Sequence, residues 1–192
     1  MEFNIGWPDW QGLLQLNPQS YVCGFCGDKV GSDKGYFHKN FSARIYICTN
    51  CGRPTFFYSQ MQYPGPMLGK TILNLPIGIE RIYYEIRESM KNDCYTAAIL
   101  LGRKLIMHIA VDVAQAKEGE SFKDYIKHLA SSNYIPPNAG RLLEYLKNIG
   151  NEKNHEIKIG EQEEATGILK FIEALLYFIY EIGEKLDEIK EE

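Results

Sequence analysis

DCYTAAILLGRKLIMHIAVDVAQAK, residues 93–117, is the stretch whose reading decides the fold. It holds no proline and one glycine, Gly102, across about six or seven turns' worth of residues. Its apolar residues do not keep to one stripe: residues 97–101, 105–107 and 109–111 are each unbroken apolar runs. A helix apolar on nearly every side is either buried among other helices or inserted in a membrane. A membrane span needs about twenty predominantly apolar residues, and Arg103, Lys104 and Asp112 interrupt this one. The stretch is therefore expected to be the central helix of a bundle that does not enter a membrane.

Helical signals continue on both sides. Leu75-Pro76 opens a helix, with proline in the first turn where its missing N–H costs nothing. Ile79, Ile82, Tyr83 and Ile86 carry it to about Lys91, and Asn92 or Asp93 is expected to cap the central helix. Gly119 ends that helix, and Ser121 with Asp124 starts a shorter one to about Ser131. After a turn at Tyr134-Ile-Pro-Pro, residues 139–155 again have helical spacing. A last helix starts near Glu161, where Glu163 and Glu164 also complement the helix dipole. Its apolar residues Ile168, Ile172, Leu175, Ile179, Ile182, Leu186 and Ile189 alternate steps of four and three. Such a seam packs at a shallow angle along a neighbour, either the central helix or a second subunit.

The N-terminal third has a different character. Tyr63-Pro-Gly-Pro breaks the chain and sets the expected boundary between residues 1–66 and 67–192. Four of the five cysteines fall as Cys23-Gly-Phe-Cys26 and Cys48-Thr-Asn-Cys51, a C-x2-C-x21-C-x2-C pattern with Gly27 and Gly52 following the pairs. β-rich segments surround them at Gly35-Tyr-Phe-His38, Ile45-Tyr-Ile47 and Thr55-Phe-Phe-Tyr58. This is the layout of a zinc ribbon, in which two knuckles on short strands close a tetrahedral site of four thiolates. Cys23, Cys26, Cys48 and Cys51 are thus the expected ligands of one structural Zn2+ per chain, with iron as an alternative ion. Two disulfides are the competing reading, disfavoured in a reducing compartment. His38 is expected at the surface and Cys94 as a small core residue.

Composition is ordinary for a globular chain, 45% hydrophobic and 24% charged, which excludes disordered and fibrous classes. The start, MEFNIGWPDWQG, has no basic and apolar leader, so a cytoplasmic location is expected. Residues 1–66 carry five Lys/Arg against four Asp/Glu, while residues 67–192 carry sixteen against twenty-one. A metal-loaded site of four thiolates would add about −2 to the first part. Any contact with nucleic acid must then come from a local patch rather than from overall charge.

Three groups of residues suggest chemistry beside blander roles. Lys104, His108 and Asp112 form a polar stripe at four-residue spacing; the pair could act as an oriented base, but a solvent-facing seam is the base-rate reading. Glu144, Asn148, Asn151 and His155 share one face of the 139–155 segment, where asparagines beside Gly150 are poor choices for helicity alone. Tyr177, Phe178 and Tyr180, with Phe171 one turn earlier, could stack bases but are read as core packing, with Phe171 and Phe178 flanking the apolar seam.

From about Leu73 to Lys185 the chain resembles the helical domain of unknown function 4145, of the HEPN-like superfamily. The resemblance rests on Ala-Ala-x-Leu-Leu-x-Arg (Ala97 to Arg103), on Gly150-Asn151-x-x-x-His155, and on Leu176-Tyr177 in the last helix. It implies a four- to five-helix HEPN-like bundle, commonly dimeric, behind an N-terminal zinc ribbon. The fold class expected overall is mainly α, with a small β-rich zinc ribbon followed by that bundle. The resemblance also implies a nucleic-acid-associated or partner-binding role in a defence-type system, with a homodimer and an RNA or protein partner. Its alternative is a metal-independent ribonuclease, with His155 as acid or base at a dimer seam and Asn151 orienting phosphate. Gly150 stands where the family motif carries arginine, so cleavage is expected to be weak or absent.

Overall fold

The computed structural model describes residues 9–135 and 159–183, which form two compact units. One comprises residues 9–68 with 91–93, the other residues 69–90 with 94–135 and 159–183.

The first unit is built on a five-stranded antiparallel sheet in the order β1-β2-β3-β4-β5. Its strands are β1 (Leu14–Val22), β2 (Lys29–Phe37), β3 (Ala43–Ile47), β4 (Pro54–Tyr58) and β5 (Met61–Tyr63). The middle strands alternate as a half-buried sheet should: in β4, Thr55 and Phe57 are buried while Phe56 and Tyr58 are exposed. Leu16, Tyr21, Val30, Tyr46 and Phe57 form the core together with Cys23 and Cys48. Tyr21 and Tyr46 both meet Phe57 edge-on, with ring centroids 5.3 and 5.7 Å away.

The expectation of a mainly α chain is corrected here. Among the described residues 44% are helical and 20% are in strands, so the chain combines a β-rich N-terminal part with helices. The two outer strands escaped the sequence reading for physical reasons. β1 contains Gln15, Asn17, Pro18 and Gln19, which show no apolar alternation, and its pairing shifts register between Gln15 and Gln19. Proline is tolerated there because β1 is an edge strand with an irregularity. β5 has three residues, too few for any period to show.

The second unit holds four α-helices among the described residues: α1 (Ile77–Lys91), α2 (Tyr95–His108), α3 (Phe122–Ser131) and α4 (Gln162–Leu176). The central stretch does form a helix, but it changes to π-helical hydrogen bonding over Ile109–Val113; α4 does the same over Tyr177–Ile182. The cap expected at Asn92 or Asp93 falls instead on Cys94, whose side chain makes no capping bond, and Asp93 takes a left-handed turn. Cys94 is exposed rather than a core residue. At α3, Ser121 is the N-cap expected: it accepts from the Asp124 backbone N–H, and its hydroxyl donates to the Asp124 carboxylate. The 139–155 segment, and Leu186 and Ile189 of the seam, lie outside the described residues.

α4 lies along α2, and the seam residues Ile168, Ile172 and Leu175 are buried. Gly102 sets the distance. A Cβ placed there would sit 2.4 Å from Ile168 Cγ2 and 3.1 Å from Ile172 Cδ1. Alanine would gain about 1 kcal/mol in helix propensity, but overpacking at so tight a contact costs about 1–3 kcal/mol. Gly102→Ala is therefore expected to lower stability by roughly 1 kcal/mol in a urea melt. A variant more stable than wild type would contradict this close approach.

Candidate metal centre

Both cysteine pairs sit in hairpin loops, one between β1 and β2 and the other between β3 and β4. The two loops close with the same bonds. The Cys23 N–H donates to the Asp28 carbonyl at 2.9 Å and the Gly27 N–H to the Cys23 carbonyl at 3.0 Å. In the second loop Cys48 donates to Arg53 at 2.9 Å and Gly52 to Cys48 at 3.0 Å. Gly27 and Gly52 have φ of 77° and 71°, the left-handed turn that follows each pair and favours glycine. Within each loop an amide reaches the first sulfur, Phe25 N–H to Cys23 Sγ and Cys51 N–H to Cys48 Sγ, both at 3.4 Å. Such donors stabilise thiolate over thiol.

The loops are held from a distance by side chains that the sequence reading did not single out. Trp10 Nε1 donates to the Gly52 carbonyl at 2.7 Å, and Gln62 Nε2 donates to the Val22 carbonyl at 2.8 Å. Neither has a local signal, because each bond joins residues about forty positions apart.

The four sulfurs lie within 4.8 Å of one another, and two pairs that cross between the loops are closer than that limit. Cys23 Sγ is 3.8 Å from Cys51 Sγ, and Cys26 Sγ is 3.8 Å from Cys48 Sγ. A tetrahedron with metal–sulfur bonds of about 2.3 Å has edges of about 3.8 Å. The donor set therefore fits a tetrahedral metal ion. All the cysteines are free, and 3.8 Å is far beyond the disulfide bond length of about 2.05 Å.

Electrostatics agrees with the geometry. Burial and the neighbouring Cys23 sulfur push the Cys26 thiol up to about 11, against backbone and Asn50 hydrogen bonds that pull it down. Burial, with the charges of Cys23 and Cys48, raises Cys51 further. At Cys48 burial also opposes ionisation, but the amides of Cys51 and Asn50 outweigh it and the thiol is lowered. So many thiols in one pocket cannot all ionise unaided, and a bound cation removes that conflict. With four protein ligands a tetrahedral ion would have no open position for water or substrate, so its contribution would be to folding.

The remaining singled-out residues fall elsewhere. Asn151 and His155 lie outside the described residues. His108 Nδ1 and Asp112 Oδ2 approach to 2.6 Å across the start of the π-helical turn, with both side chains at least half exposed. Lys104 is exposed as well, so the stripe faces solvent. Phe171 is buried, whereas Tyr177 and Phe178 are exposed, which corrects the expectation of core packing for that pair. His38 is at the surface, its Nδ1 2.6 Å from Asn40 Oδ1. No described helix is long and apolar enough to cross a membrane.

No curated protein and no solved structure matches the chain. A family model does: Domain of unknown function (DUF4145) matches residues 84–192, more than half of the chain, and the chain therefore belongs to that family.

Proposed function

We propose that this chain is a zinc-stabilised module that binds nucleic acid, and that it holds RNA without cutting it. One observation carries the reading. Residues 34–68 contain Lys34, Lys39, Arg44 and Arg53 and no Asp or Glu, in a chain of net charge −4. Such a run of cations without carboxylates supports the local patch a polyanion needs when overall charge opposes it. Zinc is the ion of choice for four thiolates in a closed tetrahedron, since it has no redox chemistry and needs no open site. Cys23, Cys26, Cys48 and Cys51 would hold one Zn2+ per chain, and its role is to fix the two loops.

The helical unit is read as HEPN-like, acting as a homodimer in a defence-type system; the sequence resemblance supports these finer points. Gly150, in the place of the motif arginine, favours binding over cleavage, because no cation stands there to stabilise phosphate charge.

The test is fluorescence anisotropy with labelled single-stranded RNA, the same samples being run on a denaturing gel. Binding in the micromolar range is expected, weakening with salt by about 0.7 log units per log unit for each phosphate contacted. RNA should stay intact with wild type and with His155→Ala alike. No binding at tens of micromolar protein in low salt would remove the reading. Wild-type cleavage that disappears in His155→Ala would replace it with the ribonuclease alternative. Light scattering that returns a monomer at tens of micromolar, where even weak dimers persist, would remove the dimer.

A further inference from the structure

The sheet of the first unit has one face in the core; among the described residues the other face is covered at its Tyr36 end by Trp10 and Gln11 and is exposed on β4 and β5. Strand register assigns the outward side chains. Tyr36 pairs with Ile45, Ile45 with Phe56, and Phe56 with Tyr63, forming one row across four strands. Next to it Ala43 pairs with Tyr58 and Tyr58 with Met61, with His38 bonded to Ala43 at the row's end. Phe56, Tyr58, Met61 and Tyr63 are 38–50% exposed, while their chain neighbour Phe57 is buried on the other face. A sheet face needed only for solubility carries polar residues at such positions.

We infer that this face, from Tyr36 to Tyr63, is a stacking platform for the bases of a single-stranded nucleic acid. This deepens the nucleic-acid reading above and rests on it. Four of the outward residues are aromatic, on β2, β4 and β5. Neighbouring strands lie about 4.8 Å apart, so the Phe56 and Tyr63 rings, with centroids at 6.3 Å, can each take a base. Beside them a hollow of about 250 Å³ is lined by Tyr36, His38, Ala43, Arg44 and Ile45.

Charge selects the occupant. Lys34 lies two residues before Tyr36 on β2, and Lys39 is exposed in the turn after it. The nearest preceding carboxylate, Asp33, is taken by Gln15 Nε2 at 2.9 Å. Aromatic rings with cations around them and no carboxylate among residues 34–68 fit flat bases on a phosphate backbone. The metal site's negative charge is partly screened from this face. Ile45 and Cys48 are three residues apart along β3 and its loop, about 10 Å of extended chain, against a screening length of about 8 Å at physiological salt.

The experiment titrates labelled single-stranded oligonucleotide, RNA and DNA separately, with the full chain. It compares wild type, Tyr58→Ala with Tyr63→Ala, Tyr58→Phe with Tyr63→Phe, and Lys34→Gln with Lys39→Gln. These side chains are exposed, and unchanged metal content and circular dichroism confirm the fold. The alanine pair should weaken binding at least ten-fold, given the usual contribution of base–aromatic stacking. The phenylalanine pair should bind like wild type, because the rings remain. The glutamine pair should flatten the salt dependence, as lost phosphate contacts do. Duplex, whose bases are already stacked, should compete poorly. Wild type that binds, with the alanine pair binding equally well, overturns the platform and leaves the nucleic-acid reading standing. Wild type that binds no single strand overturns both.

Discussion

Cys48→Ser is expected to strip the chain of metal and unfold the sheet unit while the helical unit keeps its structure. The sheet unit's core is small, and Cys23 and Cys48 are themselves part of it. A unit of that size rarely gains more than a few kcal/mol from burial alone. A structural zinc site supplies about 10–16 kcal/mol of apparent binding energy at neutral pH, comparable with the whole stability of an ordinary domain. Losing one of four ligands also leaves three buried or half-buried thiols with no cation among them. The helical unit has its own core, including Ile106, Ile168, Ile172 and Leu176, all fully buried. Limited proteolysis should therefore cut Cys48→Ser within residues 14–63 and spare α2 and α4, with most helical circular dichroism retained. Strands as protected as in wild type would show that the sheet stands without the ion.

Metal retention should fall steeply with acid. In the metal-free site Cys26 is raised to about 11, with burial the main cause, and Cys51 is raised further. Both therefore carry protons at neutral pH before loading, while the bound cation holds them as thiolates. The loaded state has the depressed pKa values, so the ion's contribution to stability is present at higher pH and lost as pH falls. At least two protons leave per ion bound, so affinity should drop by about a hundred-fold or more for each pH unit below neutral. Competition with a chromophoric chelator between pH 8 and pH 6 reads this slope. A pH-independent affinity would contradict a site of protonated thiols.

Features written in short periods or fixed spacings were legible in the sequence. The paired cysteines with their glycines marked the two loops, because a tetrahedral site needs two ligands from each of two tight turns. Ser121 with Asp124 gave the α3 start, since an N-cap and the amide it accepts from lie within four residues. The seam at Ile168, Ile172 and Leu175 gave the buried face of α4. Strand content was underread where no period exists, in Pro18-bearing β1 and three-residue β5. The π-helical turns at Ile109 and Tyr177 left no mark, because one added residue in a hydrogen-bonded ring changes no local preference. Trp10 and Gln62, which brace the cysteine loops, were silent because their partners are distant in sequence. The exposed aromatic face was hidden for a related reason: Tyr36, Phe56 and Tyr63 meet only through strand register, which periodicity within one strand does not encode.

Metal analysis of the full chain, purified under reducing conditions without added metal, tests most directly whether four thiolates build the sheet unit. One zinc per chain, lost in Cys23→Ser and in Cys48→Ser, is the predicted result; a folded wild-type chain holding neither zinc nor iron would contradict it.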